Sequence, residues 1–343
     1  VAFVTLDKVQ SPVNAPVPAH LEPSVLHVEP MSSLDRLIAL QVPFLAYRGL
    51  DWTQVRRTRF FAYQRFQYVY QSLVLDLSQR LMVKPPLTHG DQRLCDFKLA
   101  VEPIPLTRSA HTDRFGNRVI KLEIGRINDW TAFEVMFTTE RIHGHPGAIV
   151  SSQEANLLKG TTPLTTGDAH IIEVAVDLKR RAQTPLELAE RISDFVSGAM
   201  QYRANVTSVR TTASEALQTG AGLCQDYTHI ALALCRASGL SARYVSGHML
   251  GEGGSHAWLE VAIPDGQGKL RAVGFDPTNA RKPNLGYVTV AVGRDYRDVP
   301  PTSGRFTGES GGRLEFEKHS GLIELEMNDG TVLQSVEQPS SSV

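Results

Sequence analysis

The stretch Gly220–Leu240, "GAGLCQDYTHIALALCRASGL", decides the fold. Within it Tyr227, Ile230, Ala231, Leu234 and Cys235 recur at helical spacing and form one apolar face. Gly239 is a natural helix stop, and Gly220 and Gly222 allow a tight turn before the helix begins. Cys224 therefore opens the helix. There the unpaired N–H groups and the partial positive charge of a helix N-terminus favour thiolate over thiol. Cys235 lies in the packed face and reads as a core residue.

A nucleophilic thiol needs a base. After Gly239 the segments "ARYVSGHML", "SHAWLEVAI" and "KLRAVGFDP" read as three strands. "PDGQG" joins the last two as a hairpin. Centred on Gly266, that hairpin places His256 opposite Asp276, with Cβ atoms roughly 5 Å apart. The expected constellation is Cys224 as nucleophile, His256 as base and Asp276 as the carboxylate that orients the imidazole. The Cys224 N–H is the expected oxyanion donor. Each residue also has a structural role open to it: a core cysteine, a strand histidine, an Asp-Pro turn. His248 is a rival base at the end of a neighbouring strand. His229, inside the helix, points away from its N-terminus.

Upstream, Thr184-Pro185-Leu186-Glu187 and Thr212–Glu215 read as capping boxes of two further helices. Before them, "FQYVYQSLVLDL", "RLCDFKLAVEP" and "RVIKLEIGRI" are strand-like, with turn residues Asp113, Gly116 and Asn117 between the last two. The expected organisation is an N-terminal extension over 1–57, a β-sandwich over 58–148 and a linker over 149–168. An α+β core over 169–320 follows, then a C-terminal strand and tail over 321–343. His143 and His145 read as solvated histidines at the start of the Gly-rich connection.

The 343 residues carry a net charge of −1, and no apolar run approaches bilayer length, so neither nucleic acid nor membrane is an expected partner. "RRTRFFAYQRFQYVY" is read as a strand with a charged edge rather than an RNA-binding surface. Three cysteines, Cys95, Cys224 and Cys235, form neither a disulfide framework nor a C-x-x-C metal pair. Free thiols and a start without a secretory pattern point to the cytoplasm. No cofactor or metal is expected, since acidic residues do not gather at EF-hand spacing.

These residues resemble the transglutaminase-like superfamily, in particular its bacterial thiol enzymes with an N-terminal β-domain. "GAGLCQDYTHIALALCRASGLSARYVSGHM" is similar to the family's cysteine motif. "SHAWLEVAIPDGQGKLRAVGFDPTNA" is similar to its histidine and aspartate motifs, "YVTVAVGRDYRDVPP" to the segment after them, and "DRFGNRV" to a turn of the N-terminal domain. The resemblance spans about 60–320. It implies a papain-like α+β core preceded by an antiparallel β-sandwich, with Cys224, His256 and Asp276 as nucleophile, base and carboxylate. The implied activity is a cysteine peptidase or amidase acting on a peptide or protein through a thioester. Gln–Lys cross-linking is the first alternative and an inactive peptide-binding module the second.

Overall fold

Strand Val55–Tyr70 is the spine of the first layer of the computed structural model, which describes residues 31–309 and 311–335. It pairs antiparallel with Gly312–Met327 on one side and Trp130–Ile142 on the other. Gln92–Glu102, Thr88–His89 and Val332–Gln334 complete a six-stranded sheet. A four-stranded sheet of Thr302–Thr307, Val74–Lys84, Arg118–Ile127 and Thr107–Thr112 covers it. Phe60, Phe133, Phe137 and Leu99 from the first sheet meet Leu77, Leu81, Ile120 and Leu122 from the second in one core. This is the expected sandwich, built from alternating inward residues.

Its boundaries differ from those read in the sequence. Strands from 302 onward, assigned there to the core and tail, belong to the sandwich. The chain leaves this domain after Trp130–Ile142, builds the second domain, and returns. Alternation in "GRLEFEKHSGLIELEM" shows a strand but not its partner, and here the partner lies some 250 residues upstream, as in Tyr63 opposite His319. The region read as a linker holds a short strand, Ile149–Val150, and helix α2, Ser152–Leu158. Of the extension, residues 1–30 lie outside the described residues. Helix α1, Ser33–Gln41, is closed by a Ser32–Asp35 capping box. The tail from 336 onward also lies outside the described residues.

The second domain sets helices α3 (Ala169–Arg180), α4 (Pro185–Ala199), α5 (Ala213–Thr219) and α6 (Cys224–Ala237) against a sheet. The sheet runs Tyr287–Gly293, Ala242–Met249, His256–Pro264, Leu270–Phe275, Ile149–Val150, all antiparallel. Both capping threonines act as read. At α5 the exchange with Glu215 is reciprocal, whereas at α4 the Glu187 carboxylate takes the Gln183 N–H instead of the Thr184 one.

Helix α6 is the centre of this domain. Every residue from Gln225 to Arg236 is buried, well beyond the single face visible in the sequence. The helix packs on α3, α4 and α5 and on Ala257, Leu259 and Val261 of the sheet. Asp226, Thr228, His229 and Arg236 each find a partner within the fold. The Arg236 guanidinium donates to the carbonyls of Leu158 (3.1 Å) and Ala242 (3.3 Å) and to the Thr165 hydroxyl. A buried charge left without such partners would be severely destabilising.

Candidate active site

The position of Cys224 is set by the two turns before it. Helix α5 ends at Gly220, whose φ of +66° lets its N–H close onto the carbonyls of Ala216 and Leu217. Residues Ala221–Gly222 then pair in parallel with Gln201–Tyr202. Helix α6 begins at the next turn, with Leu223 as the capping residue and Asp226 in the first turn. The Asp226 carboxylate, 1% exposed, accepts from the Leu223 N–H (2.7 Å) and the Thr207 hydroxyl (2.7 Å). It closes the helix start that Leu223 has no side-chain acceptor to cap. Burial raises its pKa above the ordinary carboxylate value, and the hydrogen bonds oppose that.

Gly222 has no room for a side chain. A Cβ there would stand 2.4 Å from Asp226 Oδ2 and 2.8 Å from Asp226 Cβ. Gly222→Ala therefore displaces the Asp226 cap and the Cys224 backbone together. A thermal melt of G222A is expected to show a loss of about 1–3 kcal/mol, with slower alkylation of Cys224. An unchanged melt and rate would remove this role of the turn.

The structure brings the three expected residues together. His256 is 3% exposed and Asp276 fully buried, while Cys224 is half-buried at the helix end. His256 Nε2 lies 2.8 Å from Asp276 Oδ2, and the ring is near enough to the Cys224 side chain for the two to interact electrostatically. With Nε2 committed to Asp276, Nδ1 is the nitrogen left to face the sulfur. Trp258 stacks beside the imidazole at a ring separation of 6.0 Å.

The register that achieves this is not the one read from the hairpin. The loop spans Asp265–Lys269 and centres on Gln267, not Gly266. Asp265 Oδ1 accepts from the N–H groups of Gln267 and Lys269, and Gly268 takes a φ of +77°. The ladder then runs Leu259 opposite Phe275 through Pro264 opposite Leu270. A shift of two residues keeps side chains on their face, so His256 and Asp276 still meet, but diagonally. Asp276 lies just past the strand and bridges to Arg281.

Asp276 serves both of the roles open to it. Its Oδ1 accepts from the N–H groups of Thr278 (3.1 Å) and Asn279 (3.3 Å), which is the Asp-Pro turn. Its Oδ2 faces His256, the Asn279 amide (2.8 Å) and the Tyr287 hydroxyl (2.7 Å). Burial would raise its pKa, but His256, Tyr287 and Asn279 outweigh this and hold it below the ordinary carboxylate value. Burial alone would likewise lower His256. The hydrogen bond to Asp276 and the interaction with Cys224 outweigh that and raise it to about 10.

A histidine raised above its unfolded value of about 6.5 stabilises the fold fully below that pH, and the contribution is lost as pH climbs through about 10. Wild-type stability in urea is therefore expected to decline between pH 6.5 and 10, with a shallower decline in His256→Gln. Parallel curves for the two proteins would contradict the charged imidazole.

The rival histidines lie elsewhere. His229 is fully buried, and burial pushes it down to about 3; its Nε2 accepts from the Tyr296 N–H at 3.3 Å. His248 faces the sandwich, 3.2 Å from the Gln64 amide and beside Phe137, and burial lowers it well below its ordinary value. Asn279, Tyr287 and Trp258 were missed in the sequence. Asn279 carried a signal, because an Asp-Pro-Thr-Asn run is a side-chain-closed turn. Tyr287 stood among ordinary strand residues and carried none. His143 and His145 are exposed. Among the described residues, no group of three or more His, Cys, Asp or Glu side chains is arranged to hold a metal ion. Among the same residues, no helix is long and apolar enough to cross a membrane.

The fold and these contacts define a two-domain α+β protein: a β-sandwich joined to a papain-like core in which cysteine, histidine and aspartate converge. The chain belongs to the transglutaminase-like superfamily. The model of that superfamily matches residues 172–269, and the model of the bacterial transglutaminase-like N-terminal region matches 63–138. An uncharacterised protein of Mycobacterium tuberculosis is 30% identical over 275 residues, covering 70% of this chain and 85% of that protein. An uncharacterised protein of Mycobacterium leprae is 35% identical over 166 residues, covering 45% of this chain and 55% of that one. The crystal structure of a proposed cysteine protease from Cytophaga hutchinsonii shares the fold. It has a TM-score of 0.65 and 20% identity, and the match covers 79% of this chain and 92% of that one.

Proposed function

We propose that the protein is a thiol enzyme that cleaves a peptide or amide bond through a thioester on Cys224. The observation that carries this is a buried imidazole bonded to a buried carboxylate and coupled electrostatically to Cys224 at the helix start. The sulfur attacks the carbonyl carbon, and the Cys224 N–H, free at the helix start, receives the oxyanion. His256 gives its proton to the departing amine as the C–N bond breaks, then takes one from the water that attacks the thioester; the C–S bond breaks, the acid leaves and Cys224 returns as thiolate beside the imidazolium. Asp276 holds the ring through both steps and stays ionised.

The half-exposed sulfur beside a buried imidazole leaves the thioester open to water, which favours hydrolysis. Transfer to an amine is the second reading. Tyr202 is 59% exposed and lies within electrostatic reach of both Cys224 and Glu252. An exposed aromatic face with a carboxylate in reach would suit an ammonium group. The substrate in either case is a peptide or protein, with neither nucleic acid nor membrane as a partner. Three free thiols fit a reducing compartment such as the cytoplasm.

Mass spectrometry of a peptide mixture, with and without a primary amine, tests the proposal against Cys224→Ala. Shortened peptides made only by the wild type support hydrolysis. An amine-sized mass gain supports transfer. Identical spectra from the two proteins would leave a peptide-binding module.

A further inference from the structure

The outer edge of strand Tyr287–Gly293 borders the sandwich, and side chains take the place of a neighbouring strand there. The Gln92 carboxamide, 2% exposed, donates to the Thr289 carbonyl and accepts from the Thr289 N–H, both at 2.8 Å. Asn117, 4% exposed, does the same at Val292, at 2.7 and 2.8 Å. Each amide satisfies one donor and one acceptor of an edge that would otherwise be unpaired. Upstream, Arg141 Nη1 donates to the carbonyls of Asn284 (2.8 Å) and Tyr287 (3.0 Å) while the same guanidinium forks onto Asp91. Thr58 donates to the Leu285 carbonyl at 2.9 Å. Four sandwich residues thus hold the backbone from Asn284 to Val292.

That segment carries Tyr287, which is fully buried. Arg281 Nε can only donate, and it does so to the Tyr287 hydroxyl at 2.9 Å. The hydroxyl proton is therefore directed to Asp276 Oδ2, 2.7 Å away. The same oxygen meets His256.

We propose that the β-sandwich is a working part of the site. Gln92, Asn117 and Arg141 are positioning residues that fix the Tyr287 hydroxyl, and through it Asp276 and the His256 ring. The relay rests on the thiol reading of Cys224, because its output is the imidazole beside that sulfur. A fixed hydroxyl, together with the Thr278 and Asn279 donors, leaves Asp276 one orientation, and a carboxylate with one orientation leaves the imidazole one.

The test is the pH dependence of Cys224 alkylation by iodoacetamide, followed by peptide mass spectrometry. Gln92→Glu keeps the shape but sets a carboxylate oxygen against the Thr289 carbonyl. Tyr287→Phe removes one hydroxyl. Leu81→Ala, in the sandwich core, is a control that lowers the melting temperature without touching the relay. The midpoint of the alkylation profile is expected to rise by about one pH unit in Q92E and Y287F, a tenfold change in proton affinity, and to stay in place in L81A. Variant profiles that superimpose on a low-pH wild-type profile overturn the relay alone, as does an equal shift in L81A. A wild-type profile with no low-pH reactivity overturns the thiol reading and the relay with it.

Discussion

Asp276→Asn is expected to lower kcat by about 10²–10⁴ with little change in KM, the size of effect seen when a buried triad carboxylate is replaced. Asp276 is fully buried and its Oδ2 takes three hydrogen bonds, from His256, Tyr287 and Asn279. An asparagine fits the same volume but must point either its oxygen or its NH2 group at them. With the oxygen toward His256 the ring keeps its place but loses the negative charge that stabilises the imidazolium. With the NH2 group there, two donors meet at Nε2 and the other tautomer is selected. Both outcomes lower the pKa of His256 from about 10. The pH–rate profile should therefore lose its alkaline plateau as well as its height. A variant within threefold of wild type, with an unshifted profile, would show that the imidazole works without the carboxylate.

How much of this was legible in the sequence follows from the range of each interaction. The helix at Cys224 was legible because a glycine turn, an apolar period and a glycine stop all lie within about twenty residues. The face shared by His256 and Asp276 was also legible, since a hairpin mistake of two residues preserves it. The loop register was not, because Asp265 closes the turn with its own side chain and moves the centre from Gly266 to Gln267. The burial of α6 on every side escaped the pattern, since Thr228, His229 and Arg236 look solvent-facing until their partners are known. Arg236 finds them at Leu158, Thr165 and Ala242, all set by tertiary packing. Least legible were the return of 312–327 to the sandwich and the Tyr287–Asp276 contact. Both depend on pairings between segments that local periodicity does not connect.

Iodoacetamide at pH 6 is expected to label the three cysteines in the order Cys224, Cys95, Cys235. A free thiol near pKa 8.5 is less than about 1% ionised at this pH, whereas a thiolate paired with imidazolium is largely ionised. Its lower intrinsic nucleophilicity takes back much of that gain, leaving an advantage of about 10-fold. Exposure runs the other way and makes the comparison severe. Cys95 is exposed, on a bulge of strand Gln92–Glu102, while Cys224 is only partly open. A reagent guided by access alone would choose Cys95. Cys235 is fully buried in α6, and burial pushes its thiol up to about 12, so it reacts only when the core opens. His256→Ala removes the partner of Cys224 and should bring its rate down to or below that of Cys95, while the slow reaction of Cys235 rises only as far as stability falls. Labelling of Cys95 ahead of Cys224 in the wild type would mean that the helix terminus and the imidazole do not together hold an ionised sulfur, and the chemistry built on it would have no nucleophile.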